Sequence, residues 1–230
     1  MAAHLFTIAF VLGAAVTPAN AMTMRVADDQ VIVSGALEPA DVETFAALLD
    51  ANPSITTAVL WNSPGGAFEA NRGLTKLIVD RKLKTAVAGF CMSACAMVFL
   101  SGKERYFSDG ESLKTTMLAF HGSYAGGHLM PEERLQFLAG VVASETGGKA
   151  DPALVQRWLH LPLQIDTVRF FYPGPDGTPK VDTVAECDSD GPYGPGNPSG
   201  DISIRCAPIP GPNALSMGII TSTRILHVAH

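Results

Sequence analysis

The first 21 residues contain no Asp, Glu, Lys or Arg, and charge stays sparse beyond them. Charged residues make up 17% of the 230-residue chain and hydrophobic ones 47%, a balance that excludes a disordered polypeptide. No Lys/Arg-rich run occurs and the formal net charge is −6, which argues against a nucleic-acid partner. Beyond the N-terminus no apolar stretch is long and uninterrupted enough for a membrane helix. There is no internal repeat, no ATP-binding motif and no CxxC spacing. A zinc site recruiting His121 and His128 is therefore disfavoured, and neither metal nor cofactor is expected.

What the N-terminus does contain is an apolar run, Leu5 to Val16, followed by Thr17-Pro18-Ala19-Asn20-Ala21. The small residues at 19 and 21 form a signal-peptidase pattern, which predicts cleavage after Ala21. The usual basic n-region is missing; only the amino terminus and His4 supply positive charge. The expectation is a signal peptide over 1–21 and one domain over 22–230, periplasmic or secreted, with no membrane span once the signal is removed.

Export allows disulfides among the four cysteines. Cys187 and Cys206 lie in a Gly/Pro-rich stretch and are expected to pair, stabilising by about 3 kcal/mol in the chain-entropy model. Cys91 and Cys95 flank Ser93 and leave two readings open, a bridge across a helical turn or two buried thiols.

Along the chain, Gln30–Gly35 reads as a strand and Asp41–Leu49 as a helix with Phe45, Leu48 and Leu49 inward. Ile55–Trp61 is a buried strand, Ala67–Leu83 a helix with Leu74, Leu77 and Ile78 inward, and Thr85–Phe90 another strand. Strands alternating with helices over short links predict right-handed parallel crossovers. A helix over Ala94–Leu100, short strands at Arg105–Phe107 and Met117–Phe120, and a Gly-rich loop over Gly122–Gly127 follow. Two further helices begin at Pro131 and Pro152, with Asp151 capping the second. Pro173 to Pro212 reads as an insertion in which 183–187 and 202–206 pair as a stapled hairpin. Arg224–Val228 reads as a last strand.

Three features fall at the ends of buried strands: Gly65-Gly66, Ser93 and His121. In a parallel sheet such ends gather on one side, where sites form. A serine at a strand-to-helix turn presents its hydroxyl beside free backbone N–H groups, although an ordinary helix cap is the simpler reading. An imidazole titrating near neutrality can take the serine proton, and unobstructed N–H groups can hold an oxyanion; those of Gly66 and Ala94 are the candidates.

The run Leu60-Trp61-Asn62-Ser63-Pro64-Gly65-Gly66, then Cys91-Met92-Ser93-Ala94-Cys95, then Phe120-His121, resembles the proteolytic subunit of Clp-type ATP-dependent proteases, and most of all that family's secreted bacterial relatives. The resemblance spans Val31 to Gly148 and resumes at Ala214–Thr221. It implies a Clp/crotonase fold, an α/β spiral of strand-strand-helix units around a parallel sheet. It also implies Ser93 as nucleophile, His121 as general base, Gly66 and Ala94 as the oxyanion hole, and Asp166 as the acid that orients the imidazole. The chain departs from the family's pattern at Cys91 and Cys95, where glycine and serine are usual.

The leading expectation is a secreted serine peptidase acting on peptide or protein substrates through an acyl-enzyme, compatible with a homo-oligomer. A catalytically inactive binding or assembly protein on the same fold is the alternative. Acyl-CoA chemistry shares the fold, but export separates the chain from cytosolic thioesters.

Overall fold

The computed structural model describes residues 22–175, 177, 183–189 and 204–229. The expected signal segment and much of the expected insertion lie outside the described residues.

In chain order the elements are β1 (Thr23–Ala27), β2 (Gln30–Ser34), α1 (Asp41–Ala51), β3 (Thr57–Ser63), α2 (Phe68–Asp80), β4 (Lys84–Met92), α3 (Ala94–Leu100) and β5 (Arg105–Phe107). There follow β6 (Met117–Phe120), β7 (Tyr124–Ala125), β8 (His128–Leu129), α4 (Glu132–Glu145), α5 (Pro152–Leu159), β9 (Thr167–Phe171), β10 (Val184–Ser189) and β11 (Ile204–Pro208). The main sheet runs β1-β2-β3-β4-β6-β9-β10-β11, with β5 also paired to β4. β2, β3, β4, β5 and β6 pair in parallel, as the alternation of strands and helices predicts. The flanks are antiparallel, so the fold is a mixed α/β sheet rather than a purely parallel one.

Near-continuous apolar runs make β3 and β4 the buried centre. α1, α2, α3 and α5 bury Phe45 and Leu49, Leu74 and Ile78, Val98 and Phe99, and Trp158 against one face of the sheet. Each fully buried aliphatic or phenyl side chain of this kind contributes about 1.5–3 kcal/mol. A smaller cluster, including Ile32, Val59, Tyr106 and Val228, covers the other face.

Two local expectations are met, the Asp151 cap and the Cys187–Cys206 bridge, while the expected Gly-rich loop holds a small hairpin instead. Asp151 caps α5 by accepting from the Ala153 amide at 2.8 Å. Gly126 and Gly127, both at positive φ, form the turn of the small β7–β8 hairpin, where a two-residue loop needs that backbone. Cys187 and Cys206 lie directly opposite each other on β10 and β11 and are joined by a disulfide. That hairpin is not an appendage, however: β10 pairs with β9 and carries the main sheet outward.

Arg224–Val228 is not the expected strand. It makes a single bridge, Leu226 to Ser108, because the Asp109 carboxylate takes the Val228 amide at 2.8 Å and pairs with the His227 ring. A side chain thus ties the segment down where a ladder would have. Nearby, buried Arg105 donates to four backbone carbonyls, those of Leu100, Gly102, Gly218 and Ile219, and clamps the chain around Gly218 onto β5. Among the described residues no helix is long and apolar enough to cross a membrane.

Candidate active site

The site begins with a bulge at the end of β3. The pairing register with β4 shifts between Trp61 and Ser63, and Asn62 sits there at φ 48°. Asparagine tolerates this left-handed backbone, and bulges re-aim strand ends. The Asn62 side-chain oxygen accepts from the Phe90 amide at 3.2 Å, which fixes the departing chain against β4. Pro64-Gly65-Gly66 is thereby sent across the end of β4. The Gly65 carbonyl accepts from Leu37 N at 2.8 Å, and Ala67 N donates to the Leu37 carbonyl at 2.8 Å. These bonds use the peptide groups on either side of Gly66, whose own N–H meets no acceptor among the described residues.

β4 then turns into α3 through Ser93 at φ 55°, ψ −123°. A non-glycine residue at such angles carries backbone strain, which surrounding structure must enforce. Here the Ser93 amide donates to the Ala119 carbonyl at 2.9 Å and its carbonyl accepts from Met97 N at 3.2 Å. The hydroxyl makes no capping hydrogen bond, so the ordinary helix-cap role does not explain the serine. The Ala94 N–H, first in the helix, likewise has no protein acceptor among the described residues.

Cys91 and Cys95 are joined, which decides the alternative left open by the sequence. The bridge ties the end of β4 to the first turn of α3 across Ser93, and neither cysteine has solvent exposure. Closing so short a loop constrains the unfolded chain by about 2 kcal/mol, less than the roughly 3 kcal/mol of the longer loop at Cys187–Cys206. Its larger contribution is therefore to the elbow. Replacing both Cys91 and Cys95 by alanine is expected to cost about 2 kcal/mol in urea unfolding and to slow reactions at Ser93 by about tenfold or more as the elbow relaxes. Loss of Cys187–Cys206 should lower stability without that kinetic effect.

His121 follows β6 directly, and the β4–β6 register sets Met92 beside Ala119, so the two strand ends emerge side by side. Its Nδ1 lies 2.5 Å from the Gly122 carbonyl oxygen. A carbonyl can only accept, so Nδ1 carries the proton and Nε2 keeps its lone pair. Burial holds the imidazole pKa below its ordinary value, partly opposed by the bond to Gly122. The ring is thus a neutral base at neutral pH.

Ser93, His121, Gly65 and Gly66 border one open cleft of about 760 Å³. A second cavity of about 170 Å³ adjoins it, bordered again by Ser93, His121 and Gly66, with Ala94 and the apolar side chains of Met97 and Trp158. Asp166 makes its hydrogen bonds to other groups than the imidazole. Its buried carboxylate accepts from Ser189 N at 2.9 Å, Ser189 Oγ at 3.0 Å and Leu163 N at 3.3 Å, and so fastens the start of β9 to β10. The nearest ring to His121 is Tyr124, at 5.7 Å between centroids; burial, and then the Asp166 charge, push its phenol up to about 12. All four cysteines are in disulfides, so none is a free thiolate that could join His121 and His128.

Arg169 on β9 also borders the large cleft. Its sequence signal is weak, a lone cation within Thr167-Val168-Arg169-Phe170-Phe171, and belongs to no motif.

Fold and site together define a mixed α/β protein with a strained strand-to-helix serine and a neutral histidine on one cleft. No family model matches the chain, and no curated protein matches it. Among solved structures, it is similar to a mutant of the 1510-N membrane-bound stomatin-specific protease, with 10% identity and a TM-score of 0.42 over 56% of this chain and 67% of that one. It is also similar to PA4980 of Pseudomonas aeruginosa, with 18% identity and a TM-score of 0.41 over 64% of this chain and 71% of that one. At these scores neither likeness defines a family or an activity.

Proposed function

We propose that the protein is an exported serine hydrolase of the Clp/crotonase type, cleaving peptide bonds through an acyl-enzyme. The observation that carries this reading is Ser93 itself, held at φ 55° with an uncommitted hydroxyl on the cleft that His121 borders. Strain of this kind at a half-buried serine on a cleft is the geometry of a nucleophile elbow.

Ser93 Oγ attacks the substrate carbonyl carbon while His121 Nε2 takes the hydroxyl proton. The carbonyl π pair moves onto oxygen, which Gly66 and Ala94 N–H receive. Collapse expels the amine, protonated by His121, and leaves the acyl group on Ser93. Water, deprotonated by the same ring, attacks the acyl carbon; the bond to Ser93 Oγ breaks, the imidazolium returns its proton to Oγ, and the acid leaves. The Gly122 carbonyl serves at Nδ1, the place the resemblance gives to an acid, and Asp166 acts on the site by anchoring the β9–β10 corner. No metal or cofactor enters these steps.

The commitment of Asp166 to Ser189 and Leu163 favours a second reading, an inactive fold retained for binding. One experiment separates them. Wild-type protein treated with a fluorophosphonate should gain one adduct, mapped by mass spectrometry to Ser93. The labelling rate should rise with pH along one titration whose midpoint lies below the ordinary histidine value of about 6.5, since burial disfavours the imidazolium. Absence of an adduct on folded protein would leave the binding reading standing.

A further inference from the structure

Among the described residues that border the large cleft, Arg169 is the one arginine or lysine. Its cross-strand neighbours are Ala119 on β6 and Ala185 on β10, which offer neither charge nor hydrogen bonds from their side chains. Nε donates to Thr167 Oγ1 at 3.0 Å, and the terminal nitrogens of the guanidinium have no protein acceptor among the described residues. Two described acids of neighbouring strands are engaged elsewhere: Asp166 with Ser189 and Leu163, Glu186 with Arg157. Burial lowers the Arg169 pKa. A half-buried charge that meets no carboxylate among the described residues is costly to hold there, and the cost is relieved when an anion arrives.

Resting on the reading of this cleft as an acylation site, we propose that Arg169 is its anion-recognising residue, and that preferred substrates present a carboxylate to its free guanidinium edge. Two parallel N–H donors match a carboxylate in a fixed plane, which a lysine could not do. The carboxylate is either a chain terminus or an Asp or Glu side chain; both offer the same two oxygens. In a chain of net charge −6, the selectivity comes from this local contact and not from the overall field.

The test uses two fluorophosphonates of equal length, one ending in a carboxylate and one in the matching carboxamide. Wild-type protein should react with the acid roughly tenfold faster at low salt, the discrimination expected of one charge-assisted pair. Arg169→Gln, which keeps the stem and polarity, should bring the two rates together, and Arg169→Lys should fall between. Equal rates for the two probes on wild type, or an unchanged ratio in Arg169→Gln, overturn the inference while the serine chemistry stands. The wild-type ratio decides the matter should the variant fail to fold.

Absence of labelling by either probe instead sinks the hydrolase reading, and the inference is then read by binding. Dye-labelled hexaalanine ending in a free carboxylate, its carboxamide twin, and amidated versions with Glu or Gln at the fifth position are titrated against Ser93→Ala protein by fluorescence anisotropy. About tenfold tighter binding of one acid over its neutral twin supports Arg169 recognition and names the carboxylate's source. Equal binding within both pairs overturns it.

Discussion

Alanine at position 93 is expected to abolish covalent labelling and peptide hydrolysis while leaving the fold intact. The substitution removes one oxygen and changes little else. Ser93 Oγ makes no capping hydrogen bond, so the penalty of about 1 kcal/mol for deleting a capping hydroxyl does not apply. The strained φ of 55° is held by the Ala119 and Met97 backbone bonds, both of which alanine keeps. Loss of a serine nucleophile that works as a unit with its base costs on the order of a millionfold in turnover, with any residue of activity owed to binding and the oxyanion donors. A melting temperature within a few degrees of wild type, together with no adduct in intact-mass spectra, is the expected pair of results. Equal labelling of both proteins would mean that the elbow serine is not the nucleophile.

Gly65→Ala should be nearly as damaging to function, and it should also weaken the fold. A Cβ at Gly65 would stand 2.7 Å from the Met92 carbonyl oxygen, 2.8 Å from Ser93 Cβ and 2.9 Å from the Ala94 nitrogen. Two of these atoms are backbone, so the overlap is relieved only by moving the elbow. The φ of 92° adds strain for any residue with a side chain. Overpacking and backbone strain together predict a loss of about 2–4 kcal/mol in chemical denaturation. Displacing the nucleophile by about an ångström is worth roughly a hundredfold in rate. Gly147→Ala is the control: its φ of 62° is also positive, but no atom lies within 4 Å of the added carbon. It should cost stability on the order of 1 kcal/mol and leave labelling of Ser93 unaltered. Similar labelling rates in Gly65→Ala and wild type would show that the elbow does not depend on this contact.

The parts of the site that could be read in advance are those set by neighbours in sequence. A buried apolar run, a knot of small residues and a second apolar run dictate strand, turn and helix around Ser93. Gly65-Gly66 and His121 likewise follow runs of buried strand residues, and the alternation of strands and helices brings such strand ends to one side of a sheet. The Cys187–Cys206 pair was legible because both cysteines sit at matching places in a hairpin. The less legible parts depend on register. β9 carries Arg169 inside an apolar run, so its character as a strand is blurred by the residue that makes it interesting. The short, half-exposed β1 has no clear alternation to announce it.

For this protein the sequence alone determined the order of the elements from β2 to β6, the placement of a serine, a histidine and two glycines at strand ends, and the staple of the β10–β11 hairpin. Local preference and hydrophobic period suffice for these, because they act over a few residues. Tertiary structure decided that Cys91 and Cys95 are bridged across the elbow, that the Gly122 carbonyl holds the imidazole, and that Asp166 faces Ser189. It also decided that Arg169, on the wall of the cleft, meets no carboxylate among the described residues. The physical reason is common to all four. Which polar group meets which is settled when strands take their register and side chains compete for the same buried partners, and a one-residue slip of a strand would reassign them.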